Sequence, residues 1–309
     1  MDIIKNRRGQ IFTVIAIALI SLTFITISIY SHIREKEVVK DRVKSMDGFL
    51  HALEQNLNRQ AYISGFRIIF LALSEKVAKG SYVTDLKAFS EEAFYHGIVD
   101  GIPNEIMDGA TLQNITDAVN DKARKINVNI TMVSTNISLT QEDPWNVKFV
   151  ISSDFFMRDL QGLASWNKTQ NITAYIPVSV FEDPLYLKNA EGTGRKIIPT
   201  PYDGHFNVSG DMSNLSIHIQ KGYFASNPDA PSFLGRLQGN LNADPNGIES
   251  FVDIENLTDR VVNYFDSGDE SVIDYLFFDE NDNTPGVTIP GINPRFKIDV
   301  GHKARYQLA

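Results

Sequence analysis

Cysteine is absent from this 309-residue chain, which removes thiol catalysis, cysteine-based zinc sites and disulfide staples together. Histidine is scarce and scattered: His32, His51, His96, His205, His218 and His302 form no H-E-x-x-H pair, and no G-x-S-x-G elbow accompanies them. Phosphate-loop spacing is missing too, since Gly192-Thr193-Gly194-Arg195-Lys196 lacks the required interval between its glycines and reads as a hairpin turn. A formal charge of −9 argues against nucleic acid as a partner, because that binding rests on Lys and Arg contacts to phosphates. No catalytic residue, metal site or cofactor site is assigned, and the chain reads as a non-enzyme. Acidic side chains, finally, are missing altogether between Asp2 and Glu35.

Within that gap the basic leader Lys5-Asn6-Arg7-Arg8-Gly9 runs into an uncharged apolar stretch over residues 11–33. Its length suffices to cross a bilayer as a helix, which takes about 20 apolar residues. A cleavable secretory signal would have a shorter apolar region, roughly 7–15 residues, followed by a small-residue site. Here the run ends at Tyr30-Ser31-His32-Ile33 before the charged Arg34-Glu35-Lys36-Glu37, so the span is expected to be retained, with membrane lipid as its partner. Flanking charges do not orient it: Lys5, Arg7 and Arg8 precede it, while Arg34, Lys36, Lys40, Arg42 and Lys44 follow. Direction comes instead from eight N-x-[ST] sequons, at Asn114, Asn129, Asn136, Asn167, Asn171, Asn207, Asn214 and Asn256, all beyond the span. The bulk of the chain is accordingly expected outside the cytoplasm, as a single-pass surface glycoprotein.

Arg8-Gly9-Gln10 resembles the processing site of archaeal type IV pilin-like proteins, in which a short basic leader ends in Gly or Ala just before the apolar helix. That resemblance covers about the first thirty-five residues. It implies cleavage between Gly9 and Gln10 by a prepilin-type peptidase, and association through the N-terminal helix with further copies or other pilin-like subunits. Many bacterial-type pilins carry a Glu five residues into the mature chain, where this sequence has Val14, so a charge pair between subunits within the membrane is not implied. A second likeness, in Gly162-Leu163-Ala164-Ser165-Trp166-Asn167-Lys168-Thr169 and Glu182-Asp183-Pro184-Leu185-Tyr186, is similar to uncharacterised archaeal surface proteins with the same start. It implies a surface location and no activity.

Beyond the span, Val39, Val43, Met46, Leu50, Leu53 and Leu57 recur at alternating steps of four and three, which places all six on one stripe of a helix. A continuous helix over residues 11–58 would be about 70 Å long. Its stripe can pack against neighbouring copies or against its own head domain, and the two are compatible at different heights. Residues 61–77 read as a buried helix, and residues 83–98 and 104–126 as amphipathic helices, the latter interrupted near Thr111-Leu112-Gln113-Asn114.

Near Asn127 the apolar period shortens to two, the signature of strands. Val128, Ile130 and Met132 share one parity and Ile137 and Leu139 the other, which calls for a bulge near Ser134-Thr135. Trp145, Val147, Phe149 and Ile151 line a second strand, and Ile172, Ala174, Ile176, Val178 and Val180 a third, whose Pro177 suits an edge. The alternation recurs in Leu215, Ile217 and Ile219 and in Phe296, Ile298 and Val300, with short helices expected at 232–237 and 256–265 and a strand at 272–278. Strands with one wet face indicate antiparallel pairing. The expected fold is therefore α+β: leader 1–9, transmembrane helix 10–33, helical stalk and proximal ectodomain 34–126, and a mainly antiparallel, β-rich ectodomain with short helices over 127–309.

Three weaker patterns complete the search for chemistry. Glu92 and His96 stand four apart on a helix and read as a surface pair. Asp279-Glu280-Asn281-Asp282-Asn283 alternates oxygen ligands as calcium loops do but lacks the EF-hand glycine and its closing Glu. Trp145, Trp166, Phe155 and Phe156 could line a glycan-binding surface, against a default of burial. The reading that results is a non-enzymatic, membrane-anchored surface protein for surface structure or adhesion; the alternative is an anchored ectodomain that binds a ligand or partner, and a surface enzyme stands third. Removal of residues 1–9, with three basic side chains and one acidic, would take the formal charge from −9 to −11. Mass spectrometry of the native protein should find a chain beginning at Gln10; a chain beginning at Met1 would count against processing.

Overall fold

The computed structural model describes residues 3–190, 194–202, 205–254 and 269–308. The chain is α+β, with a long apolar N-terminal helix and small antiparallel sheets. Helix α1 spans Ile3–Leu71, 69 residues and about 100 Å at 1.5 Å per residue. It runs past the expected end near Asn58 because neither Gly nor Pro separates that residue from the apolar segment beginning at Ala61. The buried helix expected over 61–77 is thus mostly the last turns of α1. A π turn at Ala72–Lys76 and a 3-10 turn at Val77–Lys79 follow, stopped by Gly80 at φ 87°.

Upper α1 forms the spine of the core. Met46, Leu53, Leu57, Ala61, Ile68, Ile69 and Leu71 are buried, and the helix lies across a three-stranded meander of β3 (Val128–Asp143), β4 (Asn146–Asp159) and β5 (Ser165–Pro177). Two shorter strands precede these, β1 (Ile98–Val99) and β2 (Ile102–Pro103). The order β3-β4-β5 leaves β5 at an edge, with Pro177 at its end, where a missing N–H breaks no ladder. The expected change of parity is present: register shifts between Val133 and Asn136, and Ser134 takes φ 51°. Val147, Phe149 and Ile151 alternate inward on β4 as anticipated.

Helices α2 (Leu86–His96) and α3 (Leu112–Arg124) fill the side of the core. The interruption foreseen near Thr111 is a helix start, since Thr111 and Asn114 form a capping box that satisfies otherwise orphaned N–H groups. Past Pro177 the described residues form short elements: α4 (Pro184–Asn189), α5 (Ser213–Lys221), β6 (Phe224–Ser226), α6 (Phe233–Leu237), β7 (Ile248–Ser250), α7 (Asp274–Phe277), β8 (Val287–Thr288), β9 (Lys297–Ile298) and α8 (Val300–Arg305).

Several expected strands are corrected here. Leu215, Ile217 and Ile219 lie on α5, where Leu215 and His218 are buried and Ile217 is exposed. Gly222 at φ 64° closes that helix, its N–H reaching the Ile219 carbonyl. Residues 272–278 hold α7 instead of a strand, and the Asp274 carboxylate at its start turns inward to a buried arginine. Val178 and Val180 sit in a 3-10 turn, and Val300 opens α8 as an exposed residue. The helix expected at 232–237 is α6, capped by Ser232, whereas the one at 256–265 lies outside the described residues.

Helix and sheet meet most closely at Gly65: a Cβ there would stand 2.6 Å from Ile176 Cδ1 and 2.9 Å from Phe149 Cβ. Ile176 and Phe149 are themselves buried and have little room to yield. Gly65→Ala should therefore cost about 1–3 kcal/mol despite the better helix propensity of alanine, a loss that chemical denaturation would measure.

Candidate functional site

Two surfaces and two buried clusters carry the polar and apolar features that the fold does not consume. The first surface is lower α1. From Ile11 to Ile33 its large apolar side chains all lie open, Phe24 for example at 70% and Tyr30 at 67%, and among the described residues this is the one helix long and apolar enough to cross a membrane. Two of its hydroxyls are satisfied within the helix: Thr23 and Thr26 each donate to the carbonyl four residues back, Leu19 and Leu22, at 2.8 Å. Such local bonding lets a hydroxyl enter a medium that offers no partner. The stripe above the span divides by height. Met46, Leu53 and Leu57 are buried and Leu50 is half-buried against the same chain's core, while Val39 and Val43 remain 37% and 39% exposed.

The second surface is the outer face of the meander. Asn129 and Asn136 on β3 and Asn167 and Asn171 on β5 are exposed, and their pairing with Arg158, Ser152 and Phe156 of β4 sets all four on the face turned away from α1. Strand geometry also brings each acceptor hydroxyl, two residues on, to the same side: Thr131, Ser138, Thr169 and Thr173. Other sequons differ. Asn114 is exposed but its Oδ1 serves the α3 cap. Asn207 and Asn214 donate their amide nitrogens to the carbonyls of Gln307 at 3.1 Å and His205 at 2.8 Å, which engages the atom a glycan would need. Asn256 lies outside the described residues.

Remaining sequence candidates do not converge. Glu92 accepts from the Gly101 N–H at 3.0 Å while His96 points into solvent at the end of α2. In the 279–283 run, Asp279 accepts from Asn281 N–H at 2.9 Å and Asp282 from Thr284 N–H at 2.7 Å, so the carboxylates stabilise local turns. Phe155 and Phe156 point to opposite faces, and Trp145 and Trp166 lie at opposite ends of the sheet; no joint aromatic surface forms. Gly192 and Thr193 lie outside the described residues, but flanking Lys196 bridges antiparallel to Glu182.

Sequence inspection misses two buried charge clusters, whose members lie far apart along the chain. Arg236 is fully buried, and its guanidinium donates to Asp183 Oδ2 at 2.9 Å, to Asp274 Oδ2 and Oδ1 at 3.0 Å each, and to the Ile248 carbonyl. Asp183 also caps α4, and Asp274 accepts from the Ser250 N–H and hydroxyl at 2.9 and 2.8 Å. Burial pushes the Asp183 carboxyl above its ordinary range, with Arg236 pulling against it. The second cluster centres on His302, which lies 2.7 Å from Asp299 Oδ2 through Nδ1 and 3.2 Å from Glu249 Oε2 through Nε2. Glu249 accepts in addition from Asn227 Nδ2 at 2.6 Å and from the Tyr306 hydroxyl. A different histidine, His218, is buried beside Phe206 at 4.8 Å between ring centroids, and burial drives its pKa down to about 3.

A groove of about 590 Å³ runs beside α5, lined by Ser216, Gln220, Val252, Ile254, Arg295 and Phe296 among others. Neither buried charge cluster opens into its lining. Among the described residues, no group of three or more His, Asp or Glu side chains is arranged so that it could hold a metal ion. Comparison with known protein families, with curated proteins and with solved structures finds no match to this chain.

His302 makes stability depend on pH in the alkaline range. Burial disfavours its charge, but hydrogen bonds to Asp299 and Glu249 and their negative charges outweigh that and raise its pKa from 6.5 to about 9. A histidine whose folded pKa is raised contributes fully below its unfolded pKa, and loses that contribution as pH climbs through the folded one. Unfolding free energy should fall by about 2–3 kcal/mol between pH 6.5 and 9 in denaturant titrations. His302→Gln should flatten that window.

Proposed function

We propose that this chain is a non-enzymatic, membrane-anchored surface protein of pilin-like build, whose first span holds it in a bilayer while a head bearing the three-stranded sheet is displayed outside the cytoplasm. One observation carries the reading. A single unbroken helix, Ile3–Leu71, is bare and apolar over residues 11–33 and buries one face against its own head domain from Met46 upward. Leaving that much apolar surface in water would be costly, at roughly 25 cal/mol per Å², and a bilayer or a bundle of like helices removes the cost. Arg8-Gly9-Gln10 supports processing at the cytoplasmic end of the span. The sequons, all beyond it, support an extracytoplasmic head, and the four on the outer sheet face support a solvated surface suited to display or adhesion.

A second reading, an anchored ectodomain that binds a ligand or partner without assembling, is favoured by the division of the stripe. Its upper positions are already covered by the head, which leaves Val39 and Val43 for a neighbouring helix. Both readings share the anchor and differ in the oligomer.

Truncation tests the anchor cleanly, because residues 11–33 contribute no buried large side chain to the core. Full-length protein should stay with membranes through an alkaline carbonate wash, whereas a chain of residues 34–309 should be released with an unchanged far-ultraviolet circular dichroism spectrum per folded residue. Retention of the truncated chain through the wash would overturn the anchor.

A further inference from the structure

Below the sheet, the β4–β5 hairpin descends along α1 toward the end of the apolar span. Its tip, Asp159-Leu160-Gln161-Gly162-Leu163-Ala164, is pinned there by Arg42, whose Nε donates to Asp159 Oδ1 at 2.6 Å and whose Nη2 reaches the carbonyls of Ile126 and Asn127. Leu163 shares a hollow with Ser31, Arg34, Glu35, Val38 and Val39 of α1. With the apolar span ending at Ile33, this lining runs from Ser31 inside the span, through Arg34 and Glu35 about 2–3 Å beyond it, to Val38 and Val39 about 8–9 Å beyond it at 1.5 Å per residue. The polar headgroup layer is about 5–7 Å deep on each side of the hydrocarbon. For a helix near the membrane normal, Leu163 therefore stands level with the headgroups.

The chemistry of the tip suits that depth. Leu160 is 62% exposed and Leu163 41%, although each has the bulk to be buried in a core. Every backbone N–H from residue 159 to 163 is satisfied within the protein: Asp159 by Ala164 O, Leu160 by Asn127 O and Gly162 by Asp159 O. Gln161 and Leu163 donate theirs to Asp159 Oδ2, at 3.1 and 3.2 Å. The only carboxylate of the tip is thus fully buried and engaged. Entry into a partly dehydrated layer penalises unsatisfied backbone donors and free charges. The tip shows neither through its backbone donors or its carboxylate; it shows two leucines. Gly162, at φ 75°, supplies the positive φ that the turn requires.

We propose that this hairpin tip docks into the headgroup region of the same membrane that holds α1, as a second lipid contact that fixes the tilt and height of the head. The proposal rests on the anchor reading above and commits to lipid as the occupant because the hollow that holds Leu163 begins at Ser31, inside the apolar span, and takes in Val38 and Val39 as well as Arg34 and Glu35, the mixture of apolar and charged side chains that a headgroup layer accommodates. Val38 is half exposed beside the tip. Arg42 and Asp159 act as positioning residues for the turn.

The absence of cysteine allows single-cysteine labels on the full chain. Gln161→Cys, Ile20→Cys and Tyr175→Cys would each carry an environment-sensitive fluorophore, in vesicles of phosphatidylcholine and phosphatidylglycerol containing shallow or deep spin-labelled lipid. Tyr175 lies ten residues up β5 from Ser165, about 33 Å from the turn. Expected results are loss of Gln161-label fluorescence to the shallow quencher with protection from aqueous iodide, loss at Ile20 to the deep quencher, and loss at Tyr175 to iodide alone. Adding Leu160→Ser and Leu163→Ser should abolish lipid quenching at Gln161 and leave Ile20 unchanged. Iodide access at Gln161 with Ile20 still lipid-quenched would overturn the docked tip and leave the anchor standing. An Ile20 label untouched by lipid quenchers would overturn both. Protection at Gln161 that ignores lipid quenchers and disappears on dilution into excess vesicles would assign the tip to a second copy, and so overturn the lipid assignment.

Discussion

Close packing of upper α1 on the meander at Gly65 is the contact on which the rest of the structure depends. With Phe149 and Ile176 within 3 Å of where a Cβ would sit, the helix lies near enough to the sheet for Met46, Leu53, Leu57, Ile68 and Ile69 to share one core with β4 and β5. Because the helix is continuous, fixing its upper half also fixes the direction in which the lower half leaves the head. A stiff rod held at one end transmits orientation; a jointed one would not. The Arg42 bonds to Asp159, Ile126 and Asn127 extend that grip close to the end of the apolar span.

Beyond Pro177 the described chain forms only short elements, and side-chain bonding takes over from long ladders. Arg236 ties α6 to Asp183 at the start of α4, to Asp274 at the start of α7 and to the carbonyl at Ile248. His302 ties α8 to Glu249 on β7. Buried ion pairs often add little net stability against well-packed apolar groups, yet losing one partner is strongly destabilising. Around them an aromatic cluster of Phe206, Phe251, Phe296 and Tyr306 supplies the apolar packing, with ring centroids 4.9 to 5.8 Å apart. The charged histidine and arginine therefore specify which loops meet, while the aromatic rings supply burial.

The outer sheet face and the bare helix are both consequences of periodicity. Asn129, Asn136, Asn167 and Asn171 come to one face although they sit on two different strands, and the bulge at Ser134 is what brings Asn136 into line with Asn129. Without that extra residue the parity of lower β3 would turn Asn136 toward α1. Lower α1 is exposed for the opposite reason: it is apolar all round, so no single stripe selects a protein partner, and it is suited to a medium that surrounds it.

Read alone, the sequence determined those features that depend on local spacing: the apolar span over residues 11–33, the stripe from Val39 to Leu57, the bulge near Ser134, the edge position of Pro177 and the interruption near Thr111. Each follows from a period or a backbone restriction that operates within a few residues. Short apolar alternations were misleading, because Leu215, Ile217 and Ile219 fit a strand and a helix turn equally well at that length. Tertiary structure alone decided that α5 is a helix, that the stripe is covered above Met46 and open at Val39 and Val43, and that Arg236 meets Asp183 and Asp274. It also brought Leu163 level with the start of the stalk. These outcomes depend on which distant segments share a core, and contacts between residues tens of positions apart leave no period in the sequence to read.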